Sequence, residues 1–269
     1  MLIGIANIIP GLSGGTIAVM LKIYEQMIDH MDQFFKSPFK NKTTTLFLMK
    51  LGFGAAIGIV LFAKLITFAI ENYPTQSYFA FMGLILGSIP MVYQSRKIKR
   101  TISTELLFFL SAVILISITF ISKGPNTTAD PPLILLFISG AIAASAMIIP
   151  GISGSFLLLL MGTYQPIVES VSQLNFINLF TIGAGAGIGL IGVTKFIKII
   201  LVKFPDHAHN VILGLLVGSM VKLWPGISIN QTGLTAMVCF ISSAVLVYFL
   251  SKLNKKSNSE VSIASLNIK

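Results

Sequence analysis

Long apolar runs, punctuated by Pro-Gly pairs and short basic clusters, organise this chain. Thr44–Ile70, Leu106–Ile121, Leu133–Ile149 and Leu234–Leu250 are apolar for 16 or more residues, close to or above the roughly 17–25 that cross a bilayer as helix. Inside two apolar stretches the helix has to break. Ile9-Pro10-Gly11-Leu12-Ser13-Gly14-Gly15 returns near mid-chain as Ile149-Pro150-Gly151-Ile152-Ser153-Gly154-Ser155, and a tyrosine follows each copy at the same distance, Tyr24 and Tyr164. Pro and Gly both disrupt helices. Broken helices at corresponding positions of two halves point to the binding site of a membrane transporter.

The likeness between halves extends past the motif. Gly52, Gly54, Ile57, Gly58, Lys64 and Pro74 align without gaps to Gly183, Gly185, Ile188, Gly189, Lys195 and Pro205 at an offset of 131 residues. In the same register Gly83-Leu84 and Gly87-Ser88 align to Gly214-Leu215 and Gly218-Ser219. The offset at the motif is 140, so one nine-residue length difference lies in a connecting loop. The pattern predicts an all-α polytopic membrane protein of two inverted-topology repeats, each a re-entrant broken-helix hairpin plus three transmembrane helices. Repeat 1 covers 1–127, with its hairpin at 3–29 and spans at about 44–71, 77–95 and 103–122. Repeat 2 covers 128–269, with its hairpin at 131–170, spans at about 176–203, 208–223 and 232–250, and a tail. An odd number of crossings per half inverts the second half relative to the first.

Charge agrees with that topology. Charged residues make up only 10% of the 269 and hydrophobic ones 54%, with a mean hydropathy of +0.88; a soluble domain carries about 25% charge. The net charge of +10 sits in short clusters flanking apolar spans: Lys36/Lys40/Lys42, Arg96-Lys97 with Lys99-Arg100, and Lys252/Lys255/Lys256. That is positive-inside patterning, not the continuous basic face that binds nucleic acid. With those clusters and Lys198/Lys203 in the cytoplasm, the outer loops around 71–77 and 169–176 hold no Lys or Arg, and Lys123 and Lys222 are the cations near the outer ends. The topology places the two Pro-Gly tips inside the protein near the midplane, because non-helical backbone at membrane depth has to be buried or line a wet cavity. About 18 residues separate Pro132 from its break but only nine precede Pro10. The first descending half-helix therefore reads as roughly ten residues short.

The candidate chemistry is anion binding. Ser13 and Ser153 stand where new helices begin, and Ser is a favoured N-cap. Gly14, Gly15 and Gly154 permit close backbone approach, and helix N-termini attract phosphate or carboxylate. Against this stands the reading in which Pro-Gly kinks a packed helix and the glycines serve helix contact. Lys64 and Lys195 are repeat mates inside spans, candidates to neutralise an anion or to snorkel to the nearer interface. Tyr24 and Tyr164 hydrogen-bond the anion or anchor hairpin ends at the interface. Gly52/Gly54/Gly58 and Gly183/Gly185/Gly187/Gly189 read as packing faces. Glu25 has Gln165 as its mate, which leaves a symmetric proton-carrying role unsupported. His30, His207 and His209 lie apart from any carboxylate or Cys cluster, so no metal site is expected. The single cysteine, Cys239, excludes disulfides within the chain.

Pro10-Gly11-Leu12-Ser13-Gly14-Gly15-Thr16 with Tyr24, and Pro150-Gly151-Ile152-Ser153-Gly154-Ser155-Phe156 with Gly162 and Tyr164, resemble the paired signatures of the PopT polyprenyl-phosphate transporters, a family long catalogued as a domain of unknown function. The resemblance covers nearly the full chain. It implies a multi-pass protein of the bacterial plasma membrane, a flippase that returns undecaprenyl phosphate from the outer to the inner leaflet for peptidoglycan and teichoic-acid synthesis. No cofactor and no catalytic residue are implied. Asn7 stands where many members have Asp, and Lys22 stands where the second copy has Gly162. A small-anion channel or carrier would use facing broken-helix ends equally well. A lipid-phosphate enzyme would want a His near an Arg cluster, and Arg96 and Arg100 have no His nearby in sequence.

Overall fold

Proline and asparagine set where the helices start. Pro74 and Pro205 occupy first helical positions, where a missing N–H costs nothing. Asn41 accepts from the Thr43 and Thr44 amides, Asn175 from Asn178 and Asn230 from Gly233, each satisfying donors that an N-terminal turn leaves open. The computed structural model describes residues 1–9, 13–94, 101–121, 131–226 and 230–266. Among these the chain is helical without strands.

The order of helix types runs twice. The first round is α1 (Leu2–Ile8), α2 (Gly14–Met20), α3 (Tyr24–Lys36), α4 (Lys42–Asn72), α5 (Pro74–Gln94) and α6 (Ile102–Ile121). The second is α7 (Leu133–Ile148), α8 (Gly154–Leu160), α9 (Tyr164–Ser172), α10 (Phe176–Lys203), α11 (Pro205–Leu223) and α12 (Gln231–Leu266). Among the described residues α4, α6, α10 and α12 are long and apolar enough to cross a membrane. Helices α5 and α11 cover the two remaining expected spans, 77–95 and 208–223, but are not among those four. The long helices turn their apolar side chains outward: Val60 and Phe180 are each 78% exposed and Phe120 75%. In water such surfaces would aggregate; against lipid tails they are the favoured exterior.

Two compact units emerge. The first comprises Met1–Ile66 and Ile98–Lys222, the second Thr67–Lys97 and Leu223–Lys269. In the second unit α5 lies along α12. Gly83 and Gly87 sit so close to the Phe240 and Ala244 carbonyls that a Cβ would overlap them. The Ser243 hydroxyl donates to the Ala80 carbonyl at 2.8 Å, and Phe79 packs on Trp224 and Phe240. Within the first unit α6 and α11 make the same contacts in the same register. Gly214 meets the Phe108 carbonyl, Gly218 meets Ala112, and Ser111 donates to the Val211 carbonyl at 3.2 Å. The remaining small-residue faces also pack in the first unit: Gly185 and Gly189 of α10 lie against the Phe137 and Ala141 carbonyls of α7, and Gly58 of α4 against Met1. Gly52, Gly183 and Gly187 meet nothing and face outward.

Both seven-residue half-helices end in the same way. The Lys22 and Ile23 amides donate to the Val19 and Ala18 carbonyls, and the Gly162 and Thr163 amides to Leu159 and Leu158. This is a Schellman ending, which needs a left-handed residue. Gly162 supplies it at φ 70°, whereas Lys22 adopts φ 59° with a side chain attached. Removing the left-handed penalty of an L-residue outweighs the extra unfolded-state freedom of glycine. Lys22→Gly is therefore expected to gain about 0.5–1 kcal/mol, read as a higher unfolding midpoint in detergent. A lower midpoint would show that the exposed Lys22 side chain itself contributes to stability.

Candidate functional site

Described residues of the two motif copies lie together and are arranged differently. In the second copy α7 stops at Ile149, whose extended backbone (φ −71°, ψ 122°) leads into Pro150. Gly151 then turns the chain at φ +81°, a conformation open to glycine, and Ser153 precedes α8. In the first copy Ile9 has nearly the same backbone (φ −79°, ψ 118°) and Ser13 precedes α2. Pro10, Gly11 and Leu12, two of them expected site residues, lie outside the described residues.

A buried chain of hydrogen bonds joins the copies. The Gly151 amide donates to Thr16 Oγ1 at 2.8 Å, and Ser13 Oγ donates to the Ile149 carbonyl at 3.3 Å. Ser13 Oγ also accepts from the Thr16 amide at 3.2 Å, the N-cap bond. Its single proton is committed to Ile149, so in the 3.2 Å contact between the hydroxyls Thr16 is the donor. Gly15 lies against the Ile148 carbonyl, where a Cβ would overlap. Ser13 and Thr16 are 2% and 1% exposed. These hydroxyls hold the second tip in place rather than facing outward. Asn7 Oδ1 accepts from the Gly14 amide at 2.9 Å, so that amide already has a partner.

The second copy is arranged differently. Ser153 stands at the N-cap position but makes no capping bond; its hydroxyl pairs with Ser155 at 2.9 Å. Ser155 is exposed, while Gly154 is buried against the Ala143 carbonyl. The next residue, Phe156, has the Lys222 ammonium 3.4 Å above its ring centroid. Sequence reasoning placed Lys222 only as a cation near an outer end; its proximity to the motif depends on how α11 packs.

An apolar groove of about 780 Å³ runs beside the second tip. Ile149, Pro150 and Ile152 form one wall, with side chains of α6, α10 and α11 such as Ile114, Phe196, Ile200 and Leu215 around the rest. Its polar edges are Tyr24, Ser111 and His207. Tyr24 is buried. Tyr164 is 37% exposed and does not line this groove. A smaller cavity of about 280 Å³ lies between α7 and α8 and shares Ile149 and Ile152 with the groove.

Lys64 and Lys195 are exposed on the outer faces of α4 and α10. Neither makes a hydrogen bond or ion pair with the described motif residues. One turn further along α10, Lys198 forms ion pairs with Asp29 and, at 3.8 Å, with the buried Asp32, which also holds Lys36 at 2.7 Å. Close by in sequence, His209 donates through Nδ1 to the Pro205 carbonyl at 2.8 Å and places Nε2 3.2 Å from Glu25. These contacts tie α3 to α10 and α11.

A family model described as VCA0040-like, undecaprenyl phosphate translocase-like, matches residues 3–241. The chain is 32% identical over 233 residues to a polyprenyl-phosphate transporter of Vibrio cholerae serotype O1, covering 82% of this chain and 74% of that protein. It is 30% identical over 269 residues to a polyprenyl-phosphate transporter of Staphylococcus aureus, covering 94% of each. No solved structure matches. With nearly its whole length matched, the chain belongs to the undecaprenyl phosphate translocase-like family.

Proposed function

We propose that this protein is a flippase for a polyprenyl phosphate, returning undecaprenyl phosphate from the outer to the inner leaflet of the bacterial plasma membrane for cell-envelope synthesis. The observation that carries the reading is the apolar groove walled by Ile149, Pro150 and Ile152: one molecule is offered an isoprenoid-compatible trough and, at its end, a polar broken-helix tip. A prenyl tail needs apolar cover, which the groove offers, and a phosphate head needs polar partners, of which Tyr24, Ser111 and His207 stand at the groove's edge. A carrier of small anions has no use for about 780 Å³ of apolar wall. Nothing in this reading requires bond-making, and the protein acts as a transporter rather than an enzyme.

In the same reading the two rounds of six helices are repeats of opposite orientation. The matched pairs Ser243–Ala80 and Ser111–Val211 support this. So does the reciprocal pairing, α5 with α12 and α6 with α11, in which each half contributes one helix to each pair. The elements α1–α2 and α7–α8 are then re-entrant hairpins, and α5 and α11 cross as the shorter spans. Residues 96–100, outside the described set, and the tail after 252 face the cytoplasm. Labelled undecaprenyl phosphate placed in one leaflet of proteoliposomes is expected to become accessible in the other only when the protein is present. Equal exchange in protein-free vesicles, or protein-dependent chloride flux without lipid movement, would overturn the reading.

A further inference from the structure

We propose that Lys222 is the headgroup receptor of the second motif copy, binding a phosphate monoester beside Ser155. The inference rests on the flippase reading above and deepens it. Lys222 lies in the last turn of α11, is half-buried, and holds its ammonium 3.4 Å from the Phe156 ring centroid. Among the described residues it has no carboxylate within 4.0 Å and no hydrogen bond, whereas Lys198, similarly shielded, has two aspartates. A shielded cation without a counter-ion is costly, and one aromatic face offsets only part of that cost. An anion of the protein's ligand completes the set.

The placement is one-sided. In the repeat register the first-copy equivalents of Lys222 and Phe156 are Met91 and Thr16, and Thr16 is consumed in the bond to Gly151. Among the described residues it is the second copy that combines a cation, an exposed hydroxyl and an apolar groove adjoining its tip. Lysine presents a compact point charge with rotatable donors. It can hold a phosphate that arrives and leaves in different orientations, which a bidentate arginine fork would resist. Phe156 keeps the ammonium from folding back and leaves its remaining donors for the ligand.

The test is transbilayer movement of labelled polyprenyl phosphate in proteoliposomes by the full chain, with Lys222→Met, Lys222→Arg and Phe156→Leu. Loss of a charge-assisted contact raises the half-saturating lipid concentration about 10- to 100-fold in Lys222→Met, with Lys222→Arg much closer to wild type. Phe156→Leu is expected to fall between them. Inorganic phosphate slows transport by wild type and not by Lys222→Met if the pocket also takes the free ion; no slowing of wild type, with half-saturation still raised in Lys222→Met, assigns the site to the lipid headgroup alone. Polyprenol lacking phosphate should not distinguish the proteins. Unchanged half-saturation in a folded Lys222→Met overturns the proposal while wild-type transport upholds the flippase reading; absence of wild-type transport overturns the reading itself. Lys222→Gln, closer in polarity, replaces Lys222→Met if the latter shows a lowered unfolding midpoint.

Discussion

Gly151→Ala is expected to destabilise the protein by about 3 kcal/mol or more, the sum of a left-handed residue with a side chain and a displaced buried hydrogen bond. At φ +81° the new Cβ would point into the Leu215 carbonyl, which is backbone and cannot swing aside. The tip must then move, and its amide leaves Thr16 Oγ1, 2.8 Å away. Both the donor and the hydroxyl are buried, so each keeps its desolvation penalty. The measurement is the unfolding midpoint in detergent together with the monodisperse fraction on purification. A wild-type midpoint would mean that the tip follows another path.

Ser13→Leu is the second large effect. Its hydroxyl caps α2, receives the Thr16 proton and donates to Ile149, all at 2% exposure. Leucine strands buried polar groups and overpacks the contact with the second tip, for an expected loss of about 3–5 kcal/mol. Ser13→Ala removes the bonds without the bulk and should cost about 1–2 kcal/mol. Ser153→Leu separates structure from transport, because the Ser153 hydroxyl binds only Ser155 and caps nothing. Lipid movement should fall at least tenfold there for a smaller loss of stability, on the order of 1–3 kcal/mol from overpacking. Normal transport by both leucine variants would place the anion away from the motif.

Much of the fold was legible because its signals are local. Pro74 and Pro205 open helices, Asn175 caps one, and the Pro-Gly pairs stop the helices they interrupt. The six apolar runs became helices with ends within a few residues, apart from α12, which continues to Leu266. The site was legible in part. Ser13, Thr16, Pro150 and Gly151 do converge, but the partners that decide what each does lie about 135 residues away. Sequence shows that a hydroxyl is present, not that its proton is already committed. Lys64 and Lys195 illustrate the other limit. Their helices are apolar on nearly every face, so no polar stripe marks which side packs, and both lysines ended outward. Lys222, one turn beyond the Gly218-Ser219 element, carried no local mark of its contact with Phe156.

The exchanged partnership of helices has a consequence for biosynthesis. Helix α5 leaves the ribosome with Gly83 and Gly87 bare, and the surface they fit, around Phe240 and Ala244, is encoded more than 150 residues later. At about 5–20 residues per second that is a wait on the order of ten seconds or more. During it, close-packing glycine backbone has only lipid, the translocon or a chaperone for company. Helix α6 waits less, for Gly214 of α11. Membrane insertion of the first half and its assembly are thus separate events in time, and α12 completes the partnership of α5.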